Sequence, residues 1–395
     1  MPDVRGSGMT STPIEVVAAT IVDHGRVLAA RRTGPADVAG GWEFPGGKSD
    51  SGESAEAALI REVREELGCG IEVVHKLAGR VAIKAGYVLT AYLARILDGS
   101  AVPHEHDAIR WLGPEELEDV DWLPADVPFL PELRALLLAG EQLPGGNVGG
   151  ASRIGTTVRR PAGPWSPAVH ALLDHLASRG LRAVPRVLGL DELGREVLTF
   201  IPGEVLDVDF QLASADALSD VSRWLSEYHH AVADFAHPGP WRGSAWHQAT
   251  SSTVCHNDVG CYNVVLSSSA TGQRVAGVID WDVAGPGAPL DDLAAAAWTW
   301  LPLYRAIDDH VVAERLQIMT AAYGQGVTAE QLLAAVPERV QATVHGIRAG
   351  QAAGDEGMLN LRRVGEPDRT AAQLATFRKR LPVLLDCADR LALTP

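Results

Sequence analysis

Three glutamates, Glu62, Glu65 and Glu66, stand at i, i+3 and i+4 in the segment REVREELG, so on a helix advancing about 100° per residue they project from one face. Mutual repulsion disfavours such a face unless a cation lies on it. Hard carboxylate oxygens suit Mg²⁺ or Mn²⁺, and Mg²⁺ commonly bridges to the phosphates of a substrate. The chemistry this suggests is metal-assisted attack of water on a diphosphate, with glutamate serving as ligand and as proton acceptor. A second set lies in the other half of the chain. Asp258 is followed five residues later by Asn263 in CHNDVGCYN, and Asp280 follows in IDWD. Phosphoryl transfer needs one acid to deprotonate a hydroxyl, and an amide oxygen with another acid to hold Mg²⁺ on ATP.

Acidic helix faces are usually just solvated, but the loop before this one argues for a site. Gly47, Glu53 and the run Arg61-Glu62-Val63-Arg64-Glu65-Glu66-Leu67-Gly68-Cys69 keep a fixed spacing that resembles the Nudix box. The resemblance reaches the MutT-like branch, because Trp42-Glu43-Phe44-Pro45-Gly46-Gly47-Lys48 leads into the box and Arg31-Arg32 ends the preceding strand. It covers residues 14 to about 140. It implies Glu62 and Glu66 as principal ligands of Mg²⁺ or Mn²⁺, Glu65 assisting, and the Gly46 carbonyl completing the inner sphere. Glu62 and Glu65 would also act in catalysis. Glu105, six residues before Trp111, is carried over as a metal-linked residue or base.

On the substrate side the resemblance assigns Arg32 to phosphate oxygens, for which a guanidinium fork is suited, and adds Glu43 and Asp126. Asp126, in LPAD, falls where the family contacts the base. MutT itself has an asparagine there. An amide donates and accepts, whereas an ionised carboxylate only accepts, so an altered purine preference is expected. Relatives with aspartate include enzymes resembling 8-oxo-dGTP hydrolases and others acting on modified pyrimidine nucleotides. The expected substrate is a modified nucleoside triphosphate such as 8-oxo-dGTP, cleaved to monophosphate and pyrophosphate in sanitation of the nucleotide pool.

The second set resembles the H-x-D-x-x-x-x-N and I-D-W-D pair of aminoglycoside-phosphotransferase-like kinases, with Phe200-Ile201-Pro202-Gly203 and Asp291-Asp292-Leu293-Ala294 in support. By resemblance Asp258 is the base, Asn263 and Asp280 hold the metal, and His256 supports the loop. Of the family's strand lysine there is no trace: the lysines are Lys48, Lys76, Lys84 and Lys379, so Arg159 or Arg160 must meet the ATP phosphates. Its helix glutamate is missing too, since no Glu lies between Pro161 and Leu190, and His170 or Asp174 occupies that helix. Two alternatives to a purely hydrolytic protein follow. The main activity could be ATP-dependent phosphorylation of a small acceptor, or this half could be a degenerate kinase that senses a nucleotide or acts as a scaffold.

These residues need a frame. From Ile14 the pattern is strand-like, then a Gly/Pro-rich loop, then helix from Ser54 to Leu67, where Leu59, Ile60, Val63 and Leu67 form a stripe that can pack on a sheet. Apolar β-branched runs follow (IEVVHKLAGRVAI, YVLTAYLARIL), then a short PEEL helix and a helix in PFLPELRALLLAG stopped by Gly140. EQLPGGNVGGAS marks a joint. Beyond it come a strand (TTVRRP), a helix (PAVHALLDHLASRG), two strands and mostly helical sequence. The expected fold is α+β: a flexible N-terminus over 1–12, a Nudix α/β/α sandwich over 13–140, a linker over 141–150, and a protein-kinase-like phosphotransferase domain over 151–395. In that last domain a reduced small lobe is expected beside a mostly helical large lobe.

With 395 residues, 46% of them hydrophobic, the chain is too long for one ordinary domain and too apolar for disorder. A net charge of −16 argues against binding duplex nucleic acid or anionic membrane. Residues 1–143 hold 13 Lys+Arg and 23 Asp+Glu, net −10, so the acidity concentrates where the glutamates lie. Four cysteines without a CxxC pair fit a reducing cytoplasm, and no apolar run is long enough to span a membrane. His229-His230 are expected in packing or capping, Trp298 and Trp300 in the core, and Cys255 and Cys261 as small apolar residues.

Overall fold

The computed structural model describes residues 13–50, 52–84, 86–143, 150–207, 209–242, 253–269 and 272–392. The expected lead-in over 1–12 and positions 144–149 of the expected linker lie outside them. The chain divides into two compact units, Met1–Gln142 with Ser152–Thr156, and Leu143–Ala151 with Thr157–Pro395.

The first unit runs β1 (Ile14–Asp23), β2 (Arg26–Arg32), β3 (Trp42–Glu43), β4 (Gly46–Lys48), α1 (Ala55–Leu67), β5 (Gly70–Lys76), β6 (Val81–Lys84), β7 (Tyr87–Asp98), β8 (His106–Leu112), α2 (Leu130–Ala139), β9 (Glu141–Gln142) and β10 (Ser152–Ile154). The main sheet is ordered β3-β2-β1-β7-β5, with β4 on β1, β6 on β7 and β8 on β2. Its central pair, β1 and β7, is parallel. Both faces of β1 and β2 are apolar, as a sheet covered on two sides requires. Val17, Ala19, Ile21, Leu28 and Ala30 pack with Leu59, Val63 and Leu67 of α1. The alternate residues Ala18, Val27 and Ala29 pack with Leu133 and Leu137 of α2. The result is a helix–sheet–helix sandwich.

Helix α1 is defined at both ends. The Ser54 hydroxyl accepts from the Ala57 N–H, and Gly68, at φ 68°, takes the left-handed turn that stops the helix. Leu59, Val63 and Leu67 are fully buried, each burial contributing about 2 kcal/mol. That anchored stripe fixes the rotation of the helix, and with it the direction of the neighbouring glutamates. One expectation differs from what is seen: PEEL forms turns rather than a helix. HDAIRWL, which no pattern in the sequence marks as a strand, is strand β8. Its charged residues interrupt the apolar alternation, yet pairing with β2 decides its state.

In the second unit β11 (Thr157–Pro161), α3 (Ser166–Ser178), β12 (Val187–Leu190) and β13 (Arg195–Thr199) make a small layer in which β13 pairs antiparallel with β12 and β11. Next come α4 (Ala215–Ala231), β14 (Val254–Cys255), the hairpin of β15 (Val264–Ser269) and β16 (Gly272–Val278), and β17 (Gly285–Pro286). Helices α5 (Pro289–Trp300), α6 (Asp309–Tyr323), α7 (Ala329–Ala352), α8 (Glu356–Asn360) and α9 (Asp368–Ala392) complete it. One apolar core joins α3, α4, α5, α6, α7 and α9, and Trp298, Trp300 and Cys261 lie within it. No helix among the described residues is long and apolar enough to cross a membrane.

Candidate functional site

Strand β4 lays Gly47 opposite Val17 and Gly46 opposite Ala18 of β1. Gly46, at φ 151° and against backbone, admits only glycine, whereas a side chain at Gly47 would displace the Glu62 carboxylate. A Cβ on Gly46 would lie 2.1 Å from the Val17 carbonyl oxygen, and one on Gly47 would lie 2.3 Å from the Glu62 carboxyl carbon. Glu62 therefore rests on Gly47, while one turn along α1 the Glu66 Oε2 accepts the Gly46 N–H at 2.9 Å. Gly46 thus meets Glu66 through its N–H. Arg61 braces the same face: it forks onto Glu53 (3.1 and 2.9 Å) and donates to Glu62 Oε1 at 2.9 Å. The Arg61 bond holds the Glu53 carboxyl below its usual range. Glu65 is more exposed and lies 3.7 Å from Arg61.

Glu66 is buried, and that burial, with Glu43 and Glu62 nearby, raises its pKa to about 7 against the opposing pull of His106 and the Gly46 N–H. A carboxylate held out of water beside two others is short of positive charge. With hard oxygens from Glu62, Glu65 and Glu66 on one face, the residues fit a divalent cation. Glu43 sits between Arg32 (3.0 and 2.7 Å) and His106 Nε2 (3.1 Å). Burial alone would lower the His106 pKa, but the Glu43 bond and Glu66 outweigh it and raise it. Its other ring nitrogen, Nδ1, is buried without a hydrogen-bond partner. Glu105 is exposed and engages Thr33 through its backbone carbonyl. The chain thus turns His106, not Glu105, toward Glu43.

Asp126 departs from the expectation of an ionised acceptor. It is 3% exposed, and its Oδ1 accepts the Phe44 N–H at 3.3 Å. Burial pushes its carboxyl up to about 8, so the acid form dominates at neutral pH. A neutral carboxyl donates as well as accepts.

In the second unit, Asp292 at the start of α5 accepts the N–H groups of His256 (2.9 Å) and Asn257 (2.8 Å) and pairs with His229 (3.2 Å). His229 also meets the Tyr323 hydroxyl at 2.9 Å and is buried, whereas His230 is exposed. His256 links the two loops: Nδ1 accepts from the Asp258 N–H at 3.2 Å, and Nε2 reaches the Ile279 carbonyl at 3.2 Å. Burial holds its pKa down, which suits that neutral donor–acceptor pattern. Asn263 Nδ2 donates to Asp258 Oδ2 at 2.9 Å, and the Tyr262 hydroxyl caps Asp258 Oδ1 at 2.6 Å. Shielding from water raises the Asp258 carboxyl to about 6 against those two bonds. Asn257 and Asp280 both sit at positive φ (68° and 60°), a conformation that Asn and Asp tolerate better than most residues.

Adjacent strand residues face opposite ways, and this separates the two arginines. Arg159 turns to Asp191 at 3.5 Å. Arg160 reaches Asp280 (3.2 Å), Asp282 (2.5 Å) and Glu196 (3.4 Å). Arg242 shares Asp282 (3.2 Å) and grips Asp355 (2.5 Å). Two guanidiniums face four carboxylates, Glu196, Asp280, Asp282 and Asp355, so the cluster carries 2 − 4 = −2 before any bound cation. The hard donors Asp280 and Asn263 fit Mg²⁺ there. His106, Glu196 and Arg242 went unnoticed in the sequence because each gains its meaning from a partner far along the chain. The residues proposed for each site otherwise gather as two clusters, with Arg159 turned to Asp191 and Glu105 exposed beside His106.

A NUDIX domain model matches residues 12–133, and a model described as phosphotransferase enzyme family matches residues 244–333. Among relatives, a putative 8-oxo-dGTP diphosphatase 2 of Mycobacterium tuberculosis is 40% identical over 125 residues, 31% of this chain and 89% of that protein. A CTP pyrophosphohydrolase of Escherichia coli is 41% identical over 128 residues, 32% of this chain and 95% of that one. A trifolitoxin immunity protein of Rhizobium leguminosarum is 36% identical over 185 residues, 44% of this chain and 65% of that protein. That last match is longer than the whole first unit, so it must reach into the second.

Proposed function

Because the chain belongs to the Nudix family through residues 12–133 and carries a phosphotransferase-family domain over 244–333, we propose that the first unit is a Mg²⁺- or Mn²⁺-dependent hydrolase cleaving a modified nucleoside triphosphate, 8-oxo-dGTP foremost, to the monophosphate and pyrophosphate. The observation that supports this most is the seating of Glu62 and Glu66 on Gly47 and Gly46. A cation held by Glu62, Glu65 and Glu66 would withdraw charge from phosphorus and ready a water for attack. Glu65, the more exposed of the three, would take the water's proton. Arg32, steadied by Glu43, meets the phosphate oxygens. With Oδ1 of Asp126 occupied by the Phe44 N–H, the acid proton falls to Oδ2. The side chain then offers a donor beside an acceptor, as an asparagine would, and this suits guanine O6 and N1–H. A cytoplasmic setting agrees with four free cysteines.

The test is a panel of 8-oxo-dGTP, dGTP and CTP with the purified chain, with Mg²⁺ and with EDTA, scoring pyrophosphate and phosphate separately. Pyrophosphate from 8-oxo-dGTP above the others, abolished by EDTA, is expected. Preference for CTP would move the substrate to the pyrimidines, and metal-independent release would overturn the mechanism.

A second reading is favoured by the joining of Asp258, Asn263 and Asp280 through His256. The second unit would transfer phosphate from ATP to a small hydroxyl or amino acceptor, Asp258 taking the acceptor's proton. ADP formation dependent on an acceptor tests it. ATP binding without transfer would select a sensing role instead.

A further inference from the structure

We propose that Glu196, held by His170, is the positioning residue that aims Arg160 at the phosphates of a bound nucleotide. Strand β13, not helix α3, thereby supplies the acidic partner of the phosphate-binding cation. The inference rests on the phosphotransferase reading of the second unit. Its starting point is an absence in the sequence: α3 contains no glutamate, so the helix cannot pair directly with an arginine on β11 as an anion, apart from Asp174. Asp174 is exposed, whereas His170 faces inward.

The strand register answers the difficulty. Arg160 on β11 stands directly opposite Glu196 on β13, and residues directly opposite in an antiparallel pair present their side chains on the same face. Glu196 has three partners, Arg160, His170 and the Ser166 hydroxyl at the start of α3. Oε2 lies 3.4 Å from Arg160 Nε, and Oε1 lies 2.7 Å from His170 Nε2. The guanidinium is thus gripped at Nε by Glu196 and at Nη2 by Asp280 and Asp282. These contacts run through Nε and Nη2, and Nη1 would be the arm that meets a phosphate oxygen. Glu196 is 3% exposed, and a carboxylate so far from water is retained at a cost unless it holds a partner in place. Helix α3 stays coupled to the arginine, but through His170 and then Glu196.

The test is the affinity of the full chain for Mg-ATP, by calorimetry, in the wild type, Glu196→Gln, Arg160→Gln and the double variant. Each single variant is expected to weaken binding about thirtyfold or more, a loss in keeping with removal of one desolvated charge. If Glu196 acts through Arg160, the double variant is no weaker than Arg160→Gln alone. Full additivity, or unchanged affinity in Glu196→Gln, overturns the inference while leaving the phosphotransferase reading in place. A wild type that binds no Mg-ATP overturns both. Should Glu196→Gln fail to fold, judged by loss of its melting transition, the histidine decides. His170→Ala is expected to weaken binding and His170→Gln, which keeps a donor for Glu196, to restore it. Wild-type affinity in both would overturn the inference.

Discussion

Replacing Asp126 by asparagine tests the reading of the base contact more sharply than any ligand deletion. The folded carboxyl titrates at about 8, whereas an unfolded aspartate titrates at about 3.9. A folded value above the unfolded one means that stability from this group is full below about pH 4 and is lost progressively as pH rises to about 8. At pH 7 the cost is about three pH units at about 1.4 kcal/mol each, so up to about 4 kcal/mol. Asparagine keeps the shape and the acceptor for the Phe44 N–H without that proton linkage. Asp126→Asn is therefore expected to raise the urea midpoint at pH 7 and to flatten its decline between pH 5 and 8. Activity carries the same signature. Roughly nine in ten wild-type molecules hold the neutral carboxyl at pH 7 and about one in ten at pH 9, so the wild-type kcat/KM for 8-oxo-dGTP should fall about tenfold relative to Asp126→Asn over that span. Taking the ratio cancels titrations common to both proteins, Glu66 among them. Parallel pH profiles for activity and stability would refute the assignment of a neutral, base-reading Asp126.

Three further outcomes follow from the two clusters. Glu62→Gln and Glu66→Gln should each lower pyrophosphate release by about 100-fold or more, because several kcal/mol of charge stabilisation goes with a metal ligand; unchanged turnover in a folded variant would remove the metal site from this face. Gly47→Ala puts a Cβ 2.3 Å from the Glu62 carboxyl carbon, so the carboxylate must leave its seat, and kcat should drop about tenfold with a small change in melting temperature. Asp258→Asn should abolish acceptor-dependent ADP formation, measured by a coupled ADP assay, and undiminished ADP would take the base role from Asp258.

The parts legible in the sequence were those carried by local spacing. Helix α1 could be read from its period, and the same period placed Glu62, Glu65 and Glu66 together. The Asp258 loop was legible because five residues separate two groups that meet, Asp258 and Asn263. What escaped depends on distant pairing. The Glu43–His106 contact spans 63 residues, and Arg160 meets Asp280 across 120. Glu196 escaped a search confined to the helix, since its place opposite Arg160 exists only once β11 and β13 are in register. The ionised Asp126 was misjudged for a different reason. Whether a carboxyl is charged depends on how far water is excluded, and the tetrapeptide LPAD does not show that Asp126 is 3% exposed.

Both clusters meet the same electrostatic demand, and this bears on what can enter them. In the first unit Glu43, Glu53, Glu62, Glu65 and Glu66 face Arg32 and Arg61, a formal 2 − 5 = −3. In the second the balance is −2. A bare triphosphate, itself strongly anionic, would be repelled by either, since like charges in a partly desolvated site cost several kcal/mol. A nucleotide that arrives with its own divalent cation brings the charge each cluster lacks. On the proposed reading, the acidity that argues against nucleic acid as a partner would also select the form of the substrate: each unit would receive a metal–nucleotide complex, and free nucleotide in excess of metal should act on either one as a poor ligand.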